Sequence, residues 1–287
     1  MKPDHRLNGN KINSMRIPSV ILVDIGNTST QTAVERAGRF ILSKRIPTQQ
    51  QTVKGVRKIL TCYTRRRKIS GAILCSVVPG LDEIWMRELK RSVSGKVLRL
   101  NHRLNLGIKI NYPNPGAIGA DRLANAVAAY ERYGAPVVAA DFGTALTFDF
   151  VGADGAYEGG IIAPGPMMFA GCLAEKTALL PRLPASRIRK AFGRKNKEQL
   201  IGKKTSAAML IGVRLGFLGL MKEIFARLGR DPRYKNARLC ATGGYAEMIL
   251  SGSGLKVTID PWLTLRGISR IYRLNVRSQA EPAAGGR

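Results

Sequence analysis

The sequence predicts two α/β domains of related design, and three observations carry that prediction. First, VILVDIGNTST at 20–30 returns as VVAADFGTALT at 137–147. In each copy an apolar, β-rich run ends in an aspartate, Asp24 or Asp141, followed by a glycine and then by hydroxyl or amide side chains. The separation is that of one small domain and far exceeds a solenoid repeat. Second, strands lead and helices follow in both halves. Third, Gly134-Ala135-Pro136 closes a helix between the copies and marks the boundary. The expected domains are therefore 17–134 and 135–277, after a polar, disordered extension over 1–16 and before a disordered Gly/Ala-rich tail over 278–287. Met15 is a candidate start just ahead of the first strand.

The elements follow from local pattern. Residues 18–25 read as a strand, and 30–36 return antiparallel after the Gly-Asn turn. Helical spacing covers 49–68, and GAILCSVVP at 71–79 reads as a buried strand ended by Pro79. A helix over 81–93 presents Leu81, Ile84, Trp85 and Leu89 on one face, and 96–100 is a short strand. The prolines and glycines of NYPNPGAIGADR at 111–122 impose a shaped loop, which feeds a helix over 121–133. The second half restarts with a strand, a turn and a strand, then Gly152-Ala153-Asp154-Gly155 as a hairpin turn. EGGIIAPGP at 158–166 reads as a Gly/Pro-rich stretch before a helix near 167–176, and 182–204 as a basic loop. A long helix spans 205–228, and the strand 238–241 runs into Thr242-Gly243-Gly244 and a further helix.

Composition narrows the function. A hydrophobic fraction of 45% and a charged fraction of 23% are those of an ordinary globular protein. No apolar run reaches the ~20 residues that span a bilayer, and the apolar stretch stopped by Asp24 makes a poor signal peptide. Cys62, Cys75, Cys172 and Cys240 are scattered without zinc or redox spacing, which fits a reduced cytoplasm. With only His5 and His102, histidine-based hydrolysis and histidine-ligated metals have almost no material. Dinucleotide and Walker-type glycine loops are absent too. The net charge of +28 attracts anions without naming one. Arg65-Arg66-Arg67-Lys68 reads first as a solvated helix end, and no aromatic residues interleave the basic runs as a single-strand binder requires.

What remains is carboxylates, hydroxyls and backbone amides. A carboxylate ending an apolar strand is costly unless it meets a cation or several donors. Turns such as Gly26-Asn27-Thr28 aim N–H groups and a hydroxyl at whatever sits beyond the strand, a concavity that holds phosphate oxygens. Asp141, Gly143 and Thr144 repeat the pattern, and the repetition favours phosphate handling over a pair of ordinary turns. Asp121 opens a helix beside Arg122, which suits an ionised base that takes a proton from an attacking hydroxyl. An ordinary helix N-terminal Asp has the same spacing, so both readings stand at this level. Thr242-Gly243-Gly244 allows a flat ring to lie against bare backbone.

VDIGNTST, NYPNPGAIGADR, DFGTALTFDFV, EGGIIAPG, TALLP at 177–181 and ATGG at 241–244, in this order, resemble the type III pantothenate kinases. Gly119-Ala120-Asp121-Arg122 is the most discriminating of these motifs, and the resemblance covers about residues 18–275. It implies two ribonuclease-H-like domains of the actin-like ATPase class, with mixed sheets flanked by helices. It also implies ATP-dependent phosphorylation of pantothenate, the first step of coenzyme A synthesis, by a cytoplasmic homodimer. By motif match, Asp24, Ile25, Gly26, Asn27, Thr28, Ser29, Thr30, Gln31 and Thr144 bind ATP. Tyr112, Gly119, Ala120, Asp121, Arg122 and Thr177 hold pantothenate, with Asp121 as the proton acceptor. Asp141 sits at a monovalent cation, K⁺ or NH₄⁺, while Mg²⁺ accompanies ATP. Gln31 stands where many members place a basic residue. No membrane is implied, and nucleic acid is not expected as a partner. Two other readings stay open: another small-molecule kinase on the same fold, and a basic nucleic-acid-binding protein without kinase activity.

Overall fold

The computed structural model describes residues 19–193, 200–251 and 255–277, so the extension over 1–16 and the tail from 278 lie outside the described residues. β1 (Ser19–Ile25), β2 (Ser29–Arg36) and β3 (Arg39–Pro47) form an antiparallel meander. α1 (Val53–Thr64), β4 (Ile69–Ser76), α2 (Pro79–Ser92) and β5 (Val97–Arg99) follow, giving the order β3-β2-β1-β4-β5 with β4 and β5 parallel to β1.

The second sheet repeats this plan. The short strand β6 (Lys109–Ile110), a 3₁₀ turn at Pro115–Ala117 and α3 (Ala120–Tyr133) lead to β7 (Val137–Phe142), β8 (Ala145–Val151) and β9 (Ala156–Pro164). These three strands are again an antiparallel meander. Then come α4 (Pro166–Glu175), α5 (Ala185–Ala191), α6 (Thr205–Arg230), β10 (Arg238–Thr242), α7 (Ala246–Leu250), β11 (Thr258–Ile259) and α8 (Leu263–Arg277). The order is β11-β10-β7-β8-β9-β6, so apart from the edge strand β6 the two sheets share one topology. β1 and β7 occupy the same central place.

Both faces of each sheet are covered, which explains why β1 and β7 are apolar at nearly every position. Side chains alternate along a strand. Val20 and Leu22 join the core between the two sheets, while Ile21, Val23 and Ile25 pack outward with α1 and α2. Val137 and Ala139 face the same inner core, and Val138, Ala140 and Phe142 face outward toward α4 and α6. By this parity Asp24 and Asp141 both point inward, each one step beyond the inner apolar residues of its strand.

α3 and α8 fill the space between the sheets. The small residues Ala124, Ala126, Ala128 and Ala129 of α3 permit close approach, and a Cβ on Gly267 of α8 would collide with the Ala124 carbonyl. Gly134 ends α3 with φ +73° while its N–H donates to the Tyr130 carbonyl, a conformation glycine adopts at little cost.

Several elements differ from the sequence reading. The 158–166 stretch is mostly strand, because β9 pairs along β8 and the sheet overrides weak local propensity. The basic loop contains α5. The 71–79 strand ends at Ser76, and Pro79 instead opens α2 at its first turn, where a missing N–H costs nothing. No helix among the described residues is long and apolar enough to cross a membrane.

Candidate active site

The two aspartate-tipped turns meet across the cleft. Thr28 Oγ1 and Thr144 Oγ1 are hydrogen-bonded at 2.7 Å, one from each sheet. Behind them, Gly26 N–H donates to the Ser29 carbonyl and Gly143 N–H to the Ala145 carbonyl, so each turn is closed by its glycine amide, the first around three residues and the second around two. Asn27 and Thr28 are exposed at the tip, and Asp24 and Asp141 lie half-buried at its floor.

α3 brings the third carboxylate. Asp121 and Asn125 are one turn apart and share a helix face. Asn125 Nδ2 donates to Asp141 Oδ2 at 3.3 Å, and its own Oδ1 accepts from Thr264 Oγ1 of α8 at 2.8 Å. Asp121 Oδ1 accepts from the Arg122 N–H at 2.8 Å. A Cβ on Gly119 would stand 2.6 Å from that oxygen, so glycine is needed there to let the carboxylate lie against the loop.

Crowded, half-buried carboxylates resist ionisation. Burial, with the nearby charges of Asp121 and Asp141, lifts Asp24 to about 8. Burial and the charge of Asp121 lift Asp141 to about 6. Asp121 is raised by burial, opposed by the Arg122 N–H and guanidinium. Arg45 on β3 lowers both Asp24 and Asp141.

A second set of groups adjoins Asp121. Arg122 Nε donates to Asp149 Oδ1 at 2.7 Å, and Tyr157 OH donates to the same oxygen at 3.0 Å. Arg122 Nη2 is buried without a hydrogen-bond partner. The guanidinium lies over the bare backbone of Gly160, where a Cβ would strike Nη2. The Tyr112 ring meets Tyr157 edge-on at 6.2 Å and sits over Gly159. Tyr112, Gly119, Ala120, Asp121 and Arg122 therefore belong to one wall beside the carboxylates.

Other sequence-predicted residues are placed differently. The side chains of Ile25 and Thr30 are fully buried on the outer side, Thr30 bonding Thr48 and Gln51, so each offers only backbone to the cleft. Thr177 closes the end of α4, its hydroxyl donating to the Leu173 carbonyl at 2.7 Å. No hydrogen bond among the described residues joins it to Asp121 or Tyr112. Gly243 (φ +93°) presses its bare backbone against Asp141 Oδ1 and Phe142, a close contact with the end of β7. The supporting residues Asn125, Asp149 and Arg45 were not singled out in the sequence. The only hint was the acidic end of DFGTALTFDFV, since the other two show themselves through pairing across elements.

Comparison with known proteins agrees with this geometry. A family profile described as type III pantothenate kinase matches residues 20–227. A type III pantothenate kinase of Methylacidiphilum infernorum is 36% identical over 259 residues, covering 90% of this chain and 89% of that protein. One from Listeria welshimeri is 32% identical over 262 residues, covering 89% and 97%. Among solved structures, the activator of 2-hydroxyisocaproyl-CoA dehydratase from Clostridium difficile, determined with bound ADPNP, superposes with TM-score 0.53 at 11% identity. It covers 93% of this chain and 100% of that one. At that identity the likeness shows the fold alone: two ribonuclease-H-like halves, each a mixed sheet flanked by helices.

Proposed function

The chain belongs to the type III pantothenate kinase family, and on that premise we propose that it transfers the γ-phosphate of ATP to the primary hydroxyl of pantothenate in the cleft between the sheets. The observation that carries this reading is the Thr28–Thr144 contact. It brings two equivalent phosphate-holding turns face to face, with Asp121 on the adjoining helix.

Each residue then has a task. The turn from Asp24 to Gln31 and Thr144 enclose the triphosphate with N–H and hydroxyl donors. Tyr112 and Gly119–Arg122 hold pantothenate. The Arg122 guanidinium binds the pantothenate carboxylate, and Asp149 with Tyr157 fixes its direction. Asp121 accepts the hydroxyl proton as the oxygen attacks in line, and the rest is positioning and electrostatics. Thr177 reaches pantothenate from a partner subunit rather than within one chain.

Cations complete the site. Among the described residues no three His, Cys, Asp or Glu side chains converge as a metal cage. Mg²⁺ would arrive with ATP, and Asp24 would be at hand to help hold it. When bound, it neutralises charge on the triphosphate. A monovalent cation would be held by the Asp141 carboxylate, and its charge would favour the ionised form that burial disfavours.

The homodimer forms through the second half, where Ile162 is 64%, Leu179 91% and Met168 47% exposed and Met168 lines a groove with Met167 and Ile188. Four free cysteines and a nucleotide substrate suit a cytoplasmic setting.

One assay tests the activity: ATP consumption with and without pantothenate, in potassium and in sodium buffer. Turnover that requires pantothenate and is faster in potassium is expected. Turnover indifferent to pantothenate would indicate a different acceptor, and none at all would leave the fold without this chemistry.

A further inference from the structure

A triphosphate held only by turns and carboxylates lacks a protein cation. Residues 24–31 and 141–144 contain no lysine or arginine, and Arg122 is committed to Asp149. The fold supplies one from elsewhere. Arg45 lies on β3 directly opposite Gln31 of β2. Its Nη2 donates to Gln31 Oε1 at 2.7 Å. Its Nη1 stands 3.7 Å from the point a Cβ on Gly244 would occupy, so the head group reaches the Thr242–Gly244 turn of the opposite half. Its charge acts on both Asp24 and Asp141. The side chain is exposed, and no ion pair among the described residues neutralises it.

This is the arrangement of an anion receptor. A neutral amide holds the guanidinium in direction without consuming its charge, and the planar fork presents its remaining N–H groups toward the cleft. Alternation along β3 puts Lys44 on the other face, so the two basic neighbours are not interchangeable. Arg45 also bridges the two halves, from the β2–β3 edge to the loop after β10.

We propose that Arg45 is the cation of the nucleotide site: it hydrogen-bonds the terminal phosphate oxygens of ATP, is positioned by Gln31, and draws the two halves together on the triphosphate. This deepens the kinase reading and rests on it. As a group touching the transferring phosphate, Arg45 also offsets the charge spread over its oxygens during transfer.

The test compares the wild-type protein with Arg45→Gln and Arg45→Lys, using calorimetric binding of a magnesium-bound ATP analogue with a non-hydrolysable β–γ bridge, together with steady-state kinetics. Arg45→Gln is expected to weaken analogue binding by roughly 10–100-fold, the span of one or two hydrogen bonds to a charged group, and to lower kcat. Arg45→Lys should recover part of the binding, because the charge returns without the fork. The KM for pantothenate and the melting temperature should stay near wild type, since the side chain is exposed. Analogue affinity within threefold of wild type in Arg45→Gln would overturn the proposal while leaving the kinase reading intact. A wild-type protein that binds the analogue yet never phosphorylates pantothenate would fail the kinase reading instead, and the binding comparison would still decide the role of Arg45.

Discussion

Asp121→Asn is expected to lower kcat by roughly 10²–10⁴-fold, the usual contribution of a positioned general base, with little change in either KM. Asparagine keeps the shape and an oxygen to accept from the Arg122 N–H, so the start of α3 stays formed. What it loses is basicity. Burial raises the Asp121 carboxyl above its ordinary range, which brings it nearer the working pH and improves it as a proton acceptor. The sign for the wild type follows: kcat/KM falls as acidity protonates Asp121, and the acid limb begins above the ordinary carboxylate range. Turnover of the variant within a few-fold of wild type would remove Asp121 from the reaction.

Asp24→Asn should make the ligand-free protein more stable and much less active. The Asp24 carboxyl titrates near 3.8 when unfolded and about 8 in the fold. Below the lower value both states hold the proton, and the substitution changes little. Between the two, only the folded state retains it, so wild-type stability declines as pH rises, levelling off above the upper value. Asparagine cannot ionise and escapes that decline. In buffer free of ATP and divalent ions, the melting temperature advantage of Asp24→Asn should therefore widen from pH 5 to pH 8. An advantage that stays flat or shrinks would mean that Asp24 is not held against ionisation. Activity should drop roughly 10²-fold or more, as when one preorganised electrostatic group is removed.

The central strands were legible because two covered faces leave a continuous apolar run, and Asp24 and Asp141 stand out against it. The repeat then located the cleft. β9 was harder, because Gly159 and Gly160 depress strand propensity. They are there for Tyr112 and Arg122, which rest on bare backbone. α8 carries Leu263, Ile268, Ile271 and Tyr272, all buried, at helical spacing, but its partner face on α3 is distant in sequence. Arg45, Asn125 and Asp149 share one difficulty. Each acts through a neighbour supplied by another strand or helix, and strand register is not written in local pattern.

The direct test of the whole arrangement is a crystal structure with a non-hydrolysable ATP analogue and pantothenate bound together. The terminal phosphate should lie between the turns that carry Thr28 and Thr144, with the pantothenate hydroxyl within roughly 2.6–3.2 Å of an Asp121 oxygen. A nucleotide seated outside that cleft, or a hydroxyl turned away from Asp121, would contradict it.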